Sequence, residues 1–266
     1  MKFVLTALLL TVAFNNVLAQ KLSNVQQASV KAPPNIKIDG NLNEWNNKLQ
    51  AYNTVDGLYY TISNDDKNLY LSLIAPYKYA CEKILRGGVL FSVSKVADKK
   101  RKDDPKKKEI DFVLLKLDQR NDIKEYMRTY LSKKSKNADS LLRLMNKKLG
   151  IMLKTFDINR DIVPVYNDLD ITGAARFNEN LDLVYELSVP LSYVELNKDY
   201  ALPFSYNICL SAADATDRVM RWKYSKEHPT PPPAPMMRPG MIAPPPPPPD
   251  ARYTSSDFWG TYTLAK

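Results

Sequence analysis

Residues 181–189 read LDLVYELSV, and the alternation within them decides the fold class. Leu181, Leu183, Tyr185, Leu187 and Val189 fall on one side of an extended chain, with Asp182, Val184, Glu186 and Ser188 on the other, and Pro190 follows as a stop. A period of two with one oily and one wetter side is the pattern of a half-buried β-strand. A helix would bring positions three and four apart together instead.

The same signature recurs outward from this strand. GLYYTIS (57–63) and NLYLSLIAP (68–76) flank Asn64-Asp65-Asp66-Lys67, turn formers whose side chains bond their own backbone, so the two segments are predicted to form a β-hairpin. GGVLFSVSKV (87–96) and EIDFVLLKLD (109–118) make a second pair, joined by the basic loop ADKKRKDDPKKK (97–108). These segments predict a mainly β chain built as a two-sheet antiparallel β-sandwich, one domain over residues 36–266 with a lead segment at 20–35. Two insertions interrupt it. Ile123, Tyr126, Met127, Tyr130 and Leu131 share one helical face, and a second helix is expected from Asp139 to Lys148 with Gly150 as its stop, so residues 120–150 read as a two-helix insertion. HPTPPPAPMMRPGMIAPPPPPPD (228–250) lacks the amide donors a sheet needs and is expected as a Pro-rich polyproline II loop.

Residues 1–19 carry Lys2, an apolar run from Phe3 to Phe14 and the small-residue pattern Val17-Leu18-Ala19, which together predict a cleaved signal peptide and a secreted or periplasmic product. No later segment has the roughly 20 apolar residues of a membrane span. The net charge of +9 is concentrated: Lys95 to Lys148 holds 18 Lys/Arg against 9 Asp/Glu, and the rest of the chain balances. Such a surface suits an anionic polymer or a solvated excursion; nucleic acid is not expected as a partner, because no binding motif accompanies the charge. Export permits a Cys81–Cys209 disulfide without requiring it, and Cys209 shares a strand face with Ser205, Asn207 and Ser211.

His228 is the only histidine, which argues against a Ser-His-Asp triad, a His-rich zinc site and bis-histidine haem ligation. Glu44, Glu186 and Glu195 are available to a glycosidase, but spacing does not pair them, and no glycine loop cradles phosphate. An enzyme is not expected. Asp65 and Asp66 match no complete calcium loop and are read as turn caps, with structural calcium left possible and no other cofactor expected. In IKIDGNLNEWN (36–46), Trp45 is read as a plug closing the end of the core rather than as a platform for a sugar.

In their order, IDGNLNEW (38–45), SNDDKNLYLSL (63–73), ELSVPLSYVEL (186–196), PFSYNICLSAAD (203–214) and FWGTYTL (258–264) resemble the DOMON-like β-sandwich superfamily and, within it, the family 9 carbohydrate-binding modules. The resemblance implies an exported, non-catalytic binding module for a glycan or cell-envelope polymer. Its sugar-binding members use paired indoles, whereas Trp45 and Trp259 here occupy positions suited to filling the core. That leaves Trp222 in RVMRWKY, with Arg221, Tyr59, Thr61 and Asn207, as the expected ligand-binding residues. Two other readings stay open. One is a structural or envelope-assembly protein that meets a protein partner through the basic insert and Pro229–Pro249; the other is a haem-binding DOMON cytochrome ligated by a Met with His228 or a Lys.

Overall fold

In a computed structural model, residues 22–46, 48–96, 102–104, 106–114, 149–154, 162–164, 167–211 and 255–266 are described. They form β1 (Ala51–Asn53), β2 (Leu58–Asn64), β3 (Asn68–Ala75), α1 (Lys78–Gly87), β4 (Val89–Ser94), β5 (Lys108–Leu114), β6 (Leu149–Lys154), β7 (Ile162–Pro164), β8 (Thr172–Phe177), β9 (Leu183–Pro190), β10 (Phe204–Leu210) and β11 (Ser256–Tyr262). The expected signal peptide (1–19), residues 120–148 of the expected two-helix insertion, the Pro-rich loop, Arg221 and Trp222 lie outside the described residues. Gly150, expected as a helix stop, instead belongs to β6 and pairs with Val113 and Pro164, because the ladder there claims its backbone.

All strand pairs are antiparallel, in one sheet ordered β1-β2-β3-β9-β8 and another ordered β11-β10-β4-β5-β6-β7. Both expected hairpins form, β2 with β3 and β4 with β5. The two sheets pack face to face over one core. From the first sheet Leu58, Tyr60, Ile62, Leu71, Leu73, Tyr185 and Leu187 point inward; from the second, Phe91, Phe204, Tyr206, Ile208 and Tyr262. At the centre the Tyr60 and Tyr206 hydroxyls meet at 3.0 Å, and the backbone N–H of Gln26 donates to Tyr60 at 3.1 Å. Gly260 stands opposite Tyr206 on β11, and a Cβ there would collide with the phenol ring.

The expectation for residues 181–189 holds as a strand and differs in burial. Leu181 has φ +65° and belongs to the turn that enters β9. Within β9 both faces are buried, with Val184, Glu186 and Ser188 on the outer side. The cause is the segment before β1, which crosses the outside of the first sheet. Leu42, Trp45 and Leu49 bury against Val184, with Val30, Ile36, Tyr59 and Ile74 around them. Trp45 is therefore a plug, but it seals the outer face of a sheet and not the end of the sandwich. Upstream, the Gln26 carboxamide accepts from Ile62 N at 2.7 Å and donates to Ile62 O at 2.8 Å, standing in for a strand where β1 is too short to pair. Ala32 and Val30 then bond Asn64 through backbone, in a parallel bridge.

Helix α1 carries the chain from the first sheet to the second. Pro76, which lacks an N–H, follows the end of β3, and Gly88 at φ +73° closes the helix with its N–H on Ile84 O at 2.8 Å. It is the one helix of this length among the described residues, and none there is long and apolar enough to cross a membrane.

Candidate functional site: a tyrosine cluster at one end of the sandwich

Six of the chain's 16 tyrosines lie between Tyr52 and Tyr79. Tyr60 and Tyr70 turn into buried positions, and the other four gather at the sandwich end occupied by α1. Tyr52 and Tyr59 are cross-strand partners on β1 and β2, with ring centroids 4.5 Å apart. Tyr77 and Tyr79 stand at the start of α1, stacked at 5.8 Å with planes 16° apart. The neighbouring Tyr77 hydroxyl, followed by burial and the other nearby phenols, pushes the Tyr52 hydroxyl up to about 12. Tyr79 is also raised, by burial first and then by Tyr77 and Asp56. Tyr52 and Tyr79 are therefore neutral phenols at physiological pH, and a phenol hydroxyl can both donate and accept.

Local chain geometry explains the assembly. Gly57 (φ +64°) ends the turn between β1 and β2, and a Cβ there would collide with the Tyr79 hydroxyl and the Tyr77 ring. The ring pair thus rests on bare backbone. Tyr77 is 44% exposed and Val55, in the same turn, 71% exposed, so the cluster opens to solvent.

Beneath the rings lies a buried polar anchor. Asp56, fully buried, has its backbone N–H held by the Asn53 side chain at 3.0 Å, and its Oδ1 accepts from the Ser256 hydroxyl. Lys83 of α1, 4% exposed, donates to Ser256 Oγ at 2.6 Å and lies 4.0 Å from Asp56. Burial raises the Asp56 carboxyl against the opposing pull of Ser256 and Lys83. A serine beside a lysine invites a nucleophile reading. Here the hydroxyl instead bridges an ammonium to a carboxylate, tying α1, β11 and the β1–β2 turn together.

The other sequence-predicted site residues are placed as follows. Tyr59 belongs to the cluster and also borders the Trp45 patch. Thr61, on the same strand face, is fully buried and accepts from Gln50 N at 2.9 Å. Asn207 is on the other sheet, buried, donating to Asp257 Oδ2 and Phe258 O at 2.9 Å each. The structure thus brings Tyr59 together with three tyrosines that sequence reasoning did not single out, and not with Asn207. The local density of tyrosine was the available signal.

Trp259 departs from its expected place in the core. The β10–β11 register sends Phe258, Gly260 and Tyr262 toward the core side and puts Trp259 beside Asn207 on the outer face, half-buried. Cys81 packs in the core from α1 while Cys209 lies on the Asn207 face of β10, and the two are not joined by a disulfide. Of the three glutamates, Glu44 and Glu186 lie close enough to act on each other as like charges, and Glu195 stands apart from them. Glu186 is buried under the N-terminal segment, and Glu195 pairs with Lys95 at 3.6 Å and Lys108 at 3.4 Å.

Asp65 does cap its turn: Oδ1 accepts from Lys67 N and Asn68 N, both at 2.7 Å, and Oδ2 from the Tyr70 hydroxyl at 2.7 Å. Asp66 pairs with Lys31 at 2.8 Å, and this bond holds its carboxyl below the usual range. A dent of about 190 Å³ between these residues, Lys198, Asp199 and Lys266 mixes charges of both signs. Among the described residues no group of three or more His, Cys, Asp or Glu is arranged to hold a metal ion. Compared with known proteins, the chain matches no family model, no curated protein and no solved structure.

Proposed function

We propose that this protein is an exported, non-catalytic binding module that holds a glycan or cell-envelope polymer on the Tyr52, Tyr59, Tyr77 and Tyr79 cluster. The resemblance to DOMON-like and family 9 carbohydrate-binding modules supports the class, and the observation that carries the site is the solvent-open stack of Tyr77 on Tyr79. A sugar ring presents an apolar C–H face to an aromatic plane and hydroxyls to nearby phenols, and rigid tyrosines offer both with little conformational entropy to lose. The non-catalytic reading is supported by the single histidine at position 228 and by the full burial of Glu186, which keeps the Glu44–Glu186 neighbours away from a polymer on the surface.

Calorimetry of the processed chain against a panel of soluble polysaccharides tests this. Binding to at least one polymer is expected, with Tyr77→Ala weakening it about tenfold, the loss of roughly 1.4 kcal/mol of contact. Absence of binding to every polymer, or equal binding by Tyr77→Ala, overturns the assignment to this cluster.

A further inference from the structure

The outer segment that hides β9 is held by a carboxylate in an unusual setting. Glu186 points out of the first sheet and is fully buried. Its Oε2 accepts from the backbone N–H groups of Asp39 at 3.1 Å and Gly40 at 2.9 Å, at the tight turn of IDGNLNEW. Gly40 is required there: it has φ +78°, and a Cβ would stand 2.6 Å from the Arg176 Cβ. The other oxygen, Oε1, is buried without a hydrogen-bond partner, and so is Oε2 of Glu44 on the covering segment. The Asp39 and Glu44 carboxylates both act on Glu186 as like charges. Across the sheet its cross-strand neighbours are Ser72 on β3 and Ala174 on β8, neither ionisable. Arg176, diagonal on β8, is an exposed residue, and the larger influences on this carboxyl are its burial, the Gly40 and Asp39 amides and the Asp39 and Glu44 carboxylates.

We infer that residues 36–46, with Lys48 and Leu49, form a pH-sensitive strap, docked on the first sheet when Glu186 is protonated and loosened when it ionises. Burying a lone negative charge among other carboxylates is unfavourable, and two amide bonds offset only part of it. In agreement, burial first, and then the neighbouring acids, push Glu186 up to about 7 against the pull of Gly40 and Asp39. Once the strap lifts, the carboxylate reaches water and its ordinary value returns. Docking is therefore strongest below the ordinary carboxylate range and weakens as pH rises toward about 7. The strap carries Leu42, Trp45 and Leu49, and lifting it bares Val184, Ile74 and the inner edge of Tyr59. This inference does not depend on the glycan reading.

Segment-resolved hydrogen exchange on the full chain tests it, corrected for the intrinsic pH dependence of amide exchange. In the wild type, protection of residues 42–49 is expected to fall at least about tenfold between about pH 5 and about pH 8. Glu186→Gln keeps an acceptor for both amides and has no charge to lose, so its protection is expected to be independent of pH over that range. Glu44→Gln removes one repelling charge and is expected to move the wild-type midpoint to lower pH. An unchanged pH response in Glu186→Gln, or protection of 42–49 that moves only in step with β3 and β10, overturns the strap.

Discussion

Asp56, Lys83 and Ser256 show what one buried residue can be asked to hold. Asp56→Ala leaves the Lys83 ammonium 4% exposed and unbalanced, so it is expected to destabilise the protein by about 3–5 kcal/mol, read as a lower urea midpoint. Ser256→Ala removes only the bridge and is expected to cost about 1–3 kcal/mol by the same measurement. At Gly57 the expected consequence is functional as well. Gly57→Ala places a methyl where the Tyr79 hydroxyl rests, at a positive φ that alanine disfavours. Loss of the Tyr77–Tyr79 stack, and with it weaker polysaccharide binding in the calorimetric assay, should follow without loss of the fold.

Elements in this chain are defined by what covers them. β2, β3 and β9 are buried on both faces because the N-terminal segment lies over their outer side, where Trp45 supplies the largest apolar surface. Trp45→Ala is expected to cost about 3–5 kcal/mol if the segment unfolds with the core, and far less if the strap opens alone. Comparing the global urea midpoint with exchange of residues 42–49 separates these outcomes; a strap that opens independently predicts a large local and a small global effect. The edge at β1 depends similarly on Gln26, whose side chain replaces missing strand pairing at Ile62. Helix α1 was not legible beforehand. Ala80 with Ile84 and Cys81 with Leu85 follow helical spacing, but the stretch is short, and its intervening Glu82 and Lys83 are buried only because the sandwich end closes around them.

Across the whole molecule, two buried carboxyls, Glu186 and Asp56, are raised above their ordinary values, so the native state binds more protons than the unfolded chain over the interval between ordinary and raised pKa. The sign follows: native stability is greatest on the acid side of that interval and falls as pH rises through it. For Glu186, ordinarily 4.5 and here about 7, the fall to neutral pH is expected to be on the order of 2–3 kcal/mol in urea titrations at successive pH values. Glu186→Gln should remove most of that slope. The exposed Lys31–Asp66 pair acts in the opposite direction and is screened by water and salt.

Strand periodicity, the turn chemistry of Asp65 and the inward row of β9 were readable from residue order alone, because alternation and side-chain capping act over a few neighbouring residues. That row needed a core, and the segments around it supplied two antiparallel sheets. The burial of Glu186, the outward turn of Trp259 and the meeting of Tyr52 and Tyr59 with Tyr77 and Tyr79 were decided only by tertiary structure. Each depends on which segment lies against which across long separations in the chain, and desolvation, close packing and charge repulsion have no counterpart in local residue order.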